Sequence, residues 1–125
     1  MNKVYKTKTF NRWMNKTDLT DQALLNAVDE MQRGLVDADL GNNLYKKRVA
    51  LAGAGKRSGA RTLVATQYEG HWFFLFGFAK NERDNISDQE RKALQLAGQR
   101  LLSASEEALS VAIKLGELFE VVNHD

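Results

Sequence analysis

Between Lys46 and Arg83 the chain carries eight basic residues, Lys46, Lys47, Arg48, Lys56, Arg57, Arg61, Lys80 and Arg83, against two acidic ones, Glu69 and Glu82, a net charge of +6. Residues 1–45 sum to 0 and residues 84–125 to −4, so the chain's overall +2 conceals a strongly basic middle third. Three of the cations lie in the glycine-rich stretch "ALAGAGKRSGARTLVA", Ala50 to Ala65. Gly53, Gly55 and Gly59 let the backbone approach a ligand closely, while Lys56, Arg57 and Arg61 supply donors for phosphate. A nucleotide P-loop is excluded. Aligning Gly55-Lys56 to that motif puts Ala50 where its first glycine must stand and Arg57 where its Mg²⁺-binding hydroxyl must stand, and a strand rather than a helix follows. The readings left by charge alone are a surface that tracks a polyanion backbone and a set of solvated strand charges around an ordinary hairpin loop.

Composition removes other chemistries. The chain of 125 residues has no cysteine, so it has no disulfide, thiolate metal site or cysteine nucleophile, and a reducing, cytoplasmic location is expected. The longest apolar run, Trp72 to Ala79, falls far short of the roughly 18 to 20 residues of a membrane helix. The opening "MNKVYKTKTF" is charged and alternating, unlike a signal peptide. With no proline and no linker-like segment, residues 1–125 read as a single domain.

The elements that must position these cations follow from periodicity. Lys3 to Thr9 alternates as a strand, and Phe10 to Met14 reads as a helical turn anchored by Trp13. "TDQALLNAVDEMQRG" is an amphipathic helix capped by Thr20 and stopped by Gly34, and "LVDADLGNN" is a polar surface connection. From Leu44 the period becomes two. "LYKKRVAL" puts Leu44, Lys46, Arg48 and Ala50 on one face and Tyr45, Lys47, Val49 and Leu51 on the other. A loop, the strand "ARTLVATQY", a turn at Glu69-Gly70 and the apolar, hence central, strand "HWFFLFGFA" complete an antiparallel meander. Phe73, Phe74, Phe76 and Phe78 are expected in the core, with Trp72 and Tyr68 structural or stacking on a base, and Trp13 packed between the first helix and the sheet. Ser87 and Glu90 have capping-box spacing at the start of a helix, Ser103 and Glu106 repeat it before a second helix at about Ser105 to Leu115, and "ELFEVV" closes as a strand. The expected fold is α+β: an antiparallel sheet of about four strands, with N-terminal helices and a C-terminal helix packed on one face, a core over residues 4–102 and a helix and strand extension over 103–125. That acidic extension either docks on the sheet edge or shields the basic surface.

The strand pair "YKKRVA" and "RSGARTLVA", the apolar strand running into "FGFAKNERDNIS" and the helix from Ser87 resemble the RelE/HigB family of type II toxins, over roughly Val4 to Leu102. The resemblance implies a ribosome-dependent messenger-RNA endonuclease with a RelE-like fold, in which the ribose 2′-OH attacks the adjacent phosphate and fixed cations stabilise the phosphorane. It carries catalytic roles to Lys46, Arg48, Arg61 and Lys80, with Arg61 opposite the developing charge. It makes Lys47, Lys56, Arg57, Asn81, Glu82 and Arg83 RNA contacts, with no metal and no cofactor. The implied partners are a cognate helix-turn-helix antitoxin, the ribosome and its message, and operator DNA only through the antitoxin; no membrane is involved. Two positions depart from RelE itself: Asn81 replaces a second strand-end cation, and Ser87 replaces a tyrosine. The general base is therefore unassigned among Glu82, a lysine and His71, although His71 at a turn reads as solvated and His124 as frayed. The other class of reading is a non-catalytic protein on the same fold, one that inhibits a topoisomerase or only binds RNA.

Overall fold

The computed structural model describes residues 3–51 and 59–123. Lys56, Arg57 and His124 thus lie outside the described residues. The chain runs β1 (Val4–Thr7), α1 (Lys8–Met14), α2 (Asp21–Gln32), β2 (Ala38–Asp39), β3 (Leu44–Val49), β4 (Ala60–Thr66), β5 (Trp72–Ala79), α3 (Asp88–Leu102), α4 (Glu106–Lys114) and β6 (Leu118–Val121). Each helix starts at a hydroxyl that takes an otherwise orphaned backbone N–H: Thr7 from Phe10, Thr20 from Ala23, Ser87 from Glu90 and Ser105 from Ala108. Just past α2 and α4, Gly34 and Gly116 turn the chain at φ 88° and 74°, a conformation costly for residues with a Cβ.

The sheet order is β2-β3-β4-β5-β1-β6. β2 through β5 form the expected antiparallel meander. The expectation of a purely antiparallel sheet of about four strands is corrected at the other edge: β1 pairs parallel to β5, Val4 opposite Trp72, and β6 pairs antiparallel to β1. The sheet is therefore mixed and six-stranded. A parallel partner is joined by no hairpin, so nothing local in the sequence marks it.

The helices also cover both faces, not one. Phe10, Met14, Leu24, Val28 and Met31 of α1 and α2 pack with Val49, Val64, Trp72 and Phe74 on one face. On the other, Leu94 and Leu101 of α3 and Leu109 of α4 pack with Leu44, Leu63, Phe73, Leu75 and Phe78. The cause is β5, whose side chains are apolar on both sides. Trp72, Phe73 and Phe74 are fully buried, and each contributes on the order of 2 kcal/mol only if its own face is covered. A register shift beside Leu63 and Val64 pairs Leu63 with Phe76 and Val64 with Phe74, so Leu75 is an extra residue and both Leu75 and Phe76 face α3. Phe76 is half-buried, whereas Phe73, Phe74 and Phe78 are buried as expected.

Two contacts tie the helical layers down. Gly77 of β5 lies beneath the indole of Trp13, close enough that a Cβ there would overlap the ring. At the opposite end of the sheet, His71 Nδ1 accepts from the Lys3 N–H at 3.1 Å, so Nε2 carries the proton and donates to Glu106 Oε2 at 2.7 Å. That bond, with the smaller pull of nearby positive charge, holds the Glu106 carboxyl below its ordinary value. His71 is therefore a clasp between β1, β5 and α4 and not a solvated turn residue. Gly77→Ala is expected to destabilise the fold by about 1 to 3 kcal/mol in urea denaturation, and Trp13→Leu in the same chain should restore much of the loss by vacating the space.

Candidate nucleic-acid interface

The pairing register sorts the cations. Arg48 of β3 stands opposite Arg61 of β4, which stands opposite Phe78 of β5; one row further in, Lys46, Leu63 and Phe76 are aligned in the same way. Directly opposed residues share a face, and Leu63, Phe76 and Phe78 belong to the core under α3. Lys46, Arg48 and Arg61 are therefore neighbours on the α3 face, at the end of the sheet where that helix begins. Lys80, two residues past Phe78, still donates its N–H to Gly59 O at 3.1 Å, so the ladder and its alternation extend to it. Four cations that are scattered in sequence thus meet at one corner.

Their settings differ. Arg61 is 8% exposed on a strand with no solvent-facing residue, which fixes its backbone rigidly. Arg48 is exposed and bound to Asp37, whose Oδ1 accepts from its Nε at 2.8 Å and whose Oδ2 accepts from its backbone N–H at 2.6 Å. Lys46 is half-buried. Lys80 is exposed and lies 3.9 Å from Asp84, and Asn81 and Glu82 are exposed in the same turn.

Two of the expected RNA contacts are built into the fold instead. Lys47 points to the opposite face, is buried beneath α2, and places its ammonium 2.8 Å from both Glu30 and Leu35 O. Such a pair joins α2 to β3, and removing one partner would strand the other charge. Arg83 grips Glu90 with both terminal nitrogens, at 3.1 and 2.5 Å, and donates to Asn85 O through Nε. Its guanidinium also lies 5.5 Å from the centre of the Phe78 ring and 5.9 Å from that of Phe76. Glu90 in turn accepts from the Ser87 N–H, completing the capping box, so Arg83 pins the turn after β5 to the first turn of α3. His71 directly precedes Trp72, whose partner Thr66 is five residues along β4 from Arg61, or about 17 Å. It is also engaged at both ring nitrogens, and so it is not part of this corner. Trp72 is fully buried and cannot stack on a base.

Asp37 escaped notice in the sequence because the connection holding it looked like plain polar surface. No helical or strand spacing links it to Arg48. Among the described residues, no group of three or more His, Cys, Asp or Glu is placed to hold a metal ion, and no helix is long and apolar enough to cross a membrane.

Residues 2–121 match the family model described as the RelE toxin of the RelE / RelB toxin-antitoxin system. The chain belongs to the RelE toxin family. The matched range includes α4 and β6, which follow the Val4 to Leu102 core expected from the sequence. Membership makes a cognate antitoxin the partner of this RelE-family chain, and toxins of the family are generally ribonucleases. No curated protein matches the sequence.

The Arg83–Glu90 pin has a pH signature. The hydrogen bonds from Arg83, and next from the Ser87 backbone, lower the Glu90 carboxyl to about 2. An unfolded glutamate titrates near 4.3, so the native chain binds fewer protons between these values. The stabilisation is fully present above about pH 4.5 and is lost as pH falls towards 2. Urea unfolding of Glu90→Gln is expected to show lower stability at pH 7 and a shallower decline between pH 4.5 and 2 than the parent chain.

Proposed function

We propose that this RelE-family toxin is a ribosome-dependent endonuclease that cuts messenger RNA in the A site and so arrests translation. The observation that carries the reading is the facing pair Arg48 and Arg61, with Lys46 and Lys80 beside it on the same face. In the reaction the 2′-oxygen attacks the neighbouring phosphorus in line, the 5′-oxygen leaves, and the phosphorane between them gains negative charge. Arg61, held on a fully buried strand, is suited to meet that charge without reorganising. Arg48, Lys46 and Lys80 hold the message backbone on either side, with the exposed Asn81 and Glu82 in the turn that follows Lys80 as further contacts. Dependence on the 2′-OH restricts the substrate to RNA.

The antitoxin in this reading is a helix-turn-helix protein that also carries the toxin to operator DNA. Its binding removes toxicity.

Induction from a tightly repressed promoter should stop growth and translation, with new message 5′ ends mapping within translated codons. Arg61→Ala should lower cleavage about 10² to 10³-fold, the loss typical of one donor to a developing oxyanion. Because Arg61 is buried, Arg61→Lys, which keeps the charge but not the planar fork, and Arg48→Ala at an exposed site should each also lose activity while remaining folded. Growth arrest with intact messages would replace this reading with that of a non-catalytic inhibitor on the RelE fold.

A further inference from the structure

The edge of the sheet next to Arg48 is unusual. β2 supplies only two residues, Ala38 opposite Lys46 and Asp39 opposite Tyr45. Asp37 continues the ladder with one bond, its N–H to Lys46 O at 3.0 Å. From there its carboxylate takes over: Oδ2 receives the Arg48 backbone N–H at 2.6 Å and Oδ1 receives Arg48 Nε–H at 2.8 Å. Both oxygens are thus spent on one residue. The contact closes a ring from the Arg48 backbone through its side chain and back, and this fixes the direction of an otherwise flexible chain. The Asp37 side chain is 21% exposed and that of Arg48 46%, so the carboxylate lies inward and the guanidinium points out.

A guanidinium grips a phosphate by one of its edges. With Nε held by Asp37, the edge left for a ligand is the one formed by the two terminal nitrogens. We propose that Asp37 is a positioning residue for RNA cleavage, setting the Arg48 guanidinium so that its terminal edge meets the scissile or adjacent phosphate. An exposed ion pair contributes little to stability in itself. Its effect here is on rate, because a donor already aimed at its target loses less freedom when the substrate arrives. The inference rests on the proposed role of Arg48 in cleavage.

The test is a double-mutant cycle on cleavage, with purified toxin and ribosomes loaded with a defined message, measuring the single-turnover rate and the ribosome concentration for half-maximal cutting. Asp37→Ala is expected to slow cutting about 10 to 100-fold, the scale of a misplaced group, with little change in half-saturation. Asp37→Asn, which keeps one acceptor oxygen, should recover part of the rate. In an Arg48→Ala background, Asp37→Ala should slow cutting no further, since it acts only through Arg48. A purely structural Asp37 would instead lower thermal stability and impose the same additional loss in both backgrounds. That result, or an Asp37→Ala toxin as active as the parent while Arg48→Ala is impaired, overturns the inference and leaves the nuclease reading intact. An Arg48→Ala toxin that cuts as fast as the parent overturns the role of Arg48 and this inference with it.

Discussion

The fold depends on a strand pair that has almost no side open to water. Every residue of β4 is buried, and β5 alternates large apolar side chains between its two faces. Polar residues on β4 survive there because each is bonded: Thr62 donates to Lys47 O at 2.9 Å and Thr66 to His71 O at 3.2 Å. Two helical layers follow of necessity, α1 with α2 and α3 with α4. The bulge at Leu75 lets the α3 side take an additional aromatic, and Gly77 on the other side leaves room for Trp13. The candidate corner is where this double cover ends, at the turn between β5 and α3, and where β4 first bears a charge.

Much of this was legible in the sequence. The period-two run of β3 gave its two faces correctly, and Thr20 and Ser87 marked two helix starts. Thr7, by contrast, lay within an expected strand, and the cap of α4 is Ser105, with Ser103 closing α3. The apolar run Trp72 to Ala79 already implied cover on both faces, since a strand without polar alternation has no side to leave wet. A central β5 of this composition therefore requires helices on both faces, and the packing provides them: α1 and α2 on one, α3 and α4 on the other. The insertion of β1 between β5 and β6 was of another kind. It depends on a long-range parallel pairing, Val4 with Trp72 and Lys6 with Phe74, and no turn residue or local period encodes it.

The cations divide in the same manner. The alternation of β3 separates Lys47 from Lys46 and Arg48, so its place under α2 is implicit in the strand pattern although the family resemblance puts it with the RNA contacts. Arg83 is different. It lies before α3, so its seven-residue separation from Glu90 is not a helical contact, and the pairing arises because the turn folds back on the α3 N-terminus. Asp37, just before a two-residue edge strand, and Arg48, on the neighbouring strand, are eleven residues apart, a link that exists only once the register is set.

Arg48 and Arg61 stand directly opposite one another on adjacent strands, where like charges disfavour pairing. Asp37 eases the strain by drawing the Arg48 charge to the sheet edge, but it uses only the Nε side of the guanidinium and leaves the cation facing outward. Binding a chain of phosphates beside Arg48 and Arg61 would place negative charge between like charges that the fold already holds close, and the repulsion would become attraction. On the proposed reading, that juxtaposition is what makes the corner a site, because backbone pairing has met the cost of gathering the cations before any RNA arrives. It also accounts for the difference between the two arginines. One is carried on a fully buried strand, and the other is held by a carboxylate at the edge.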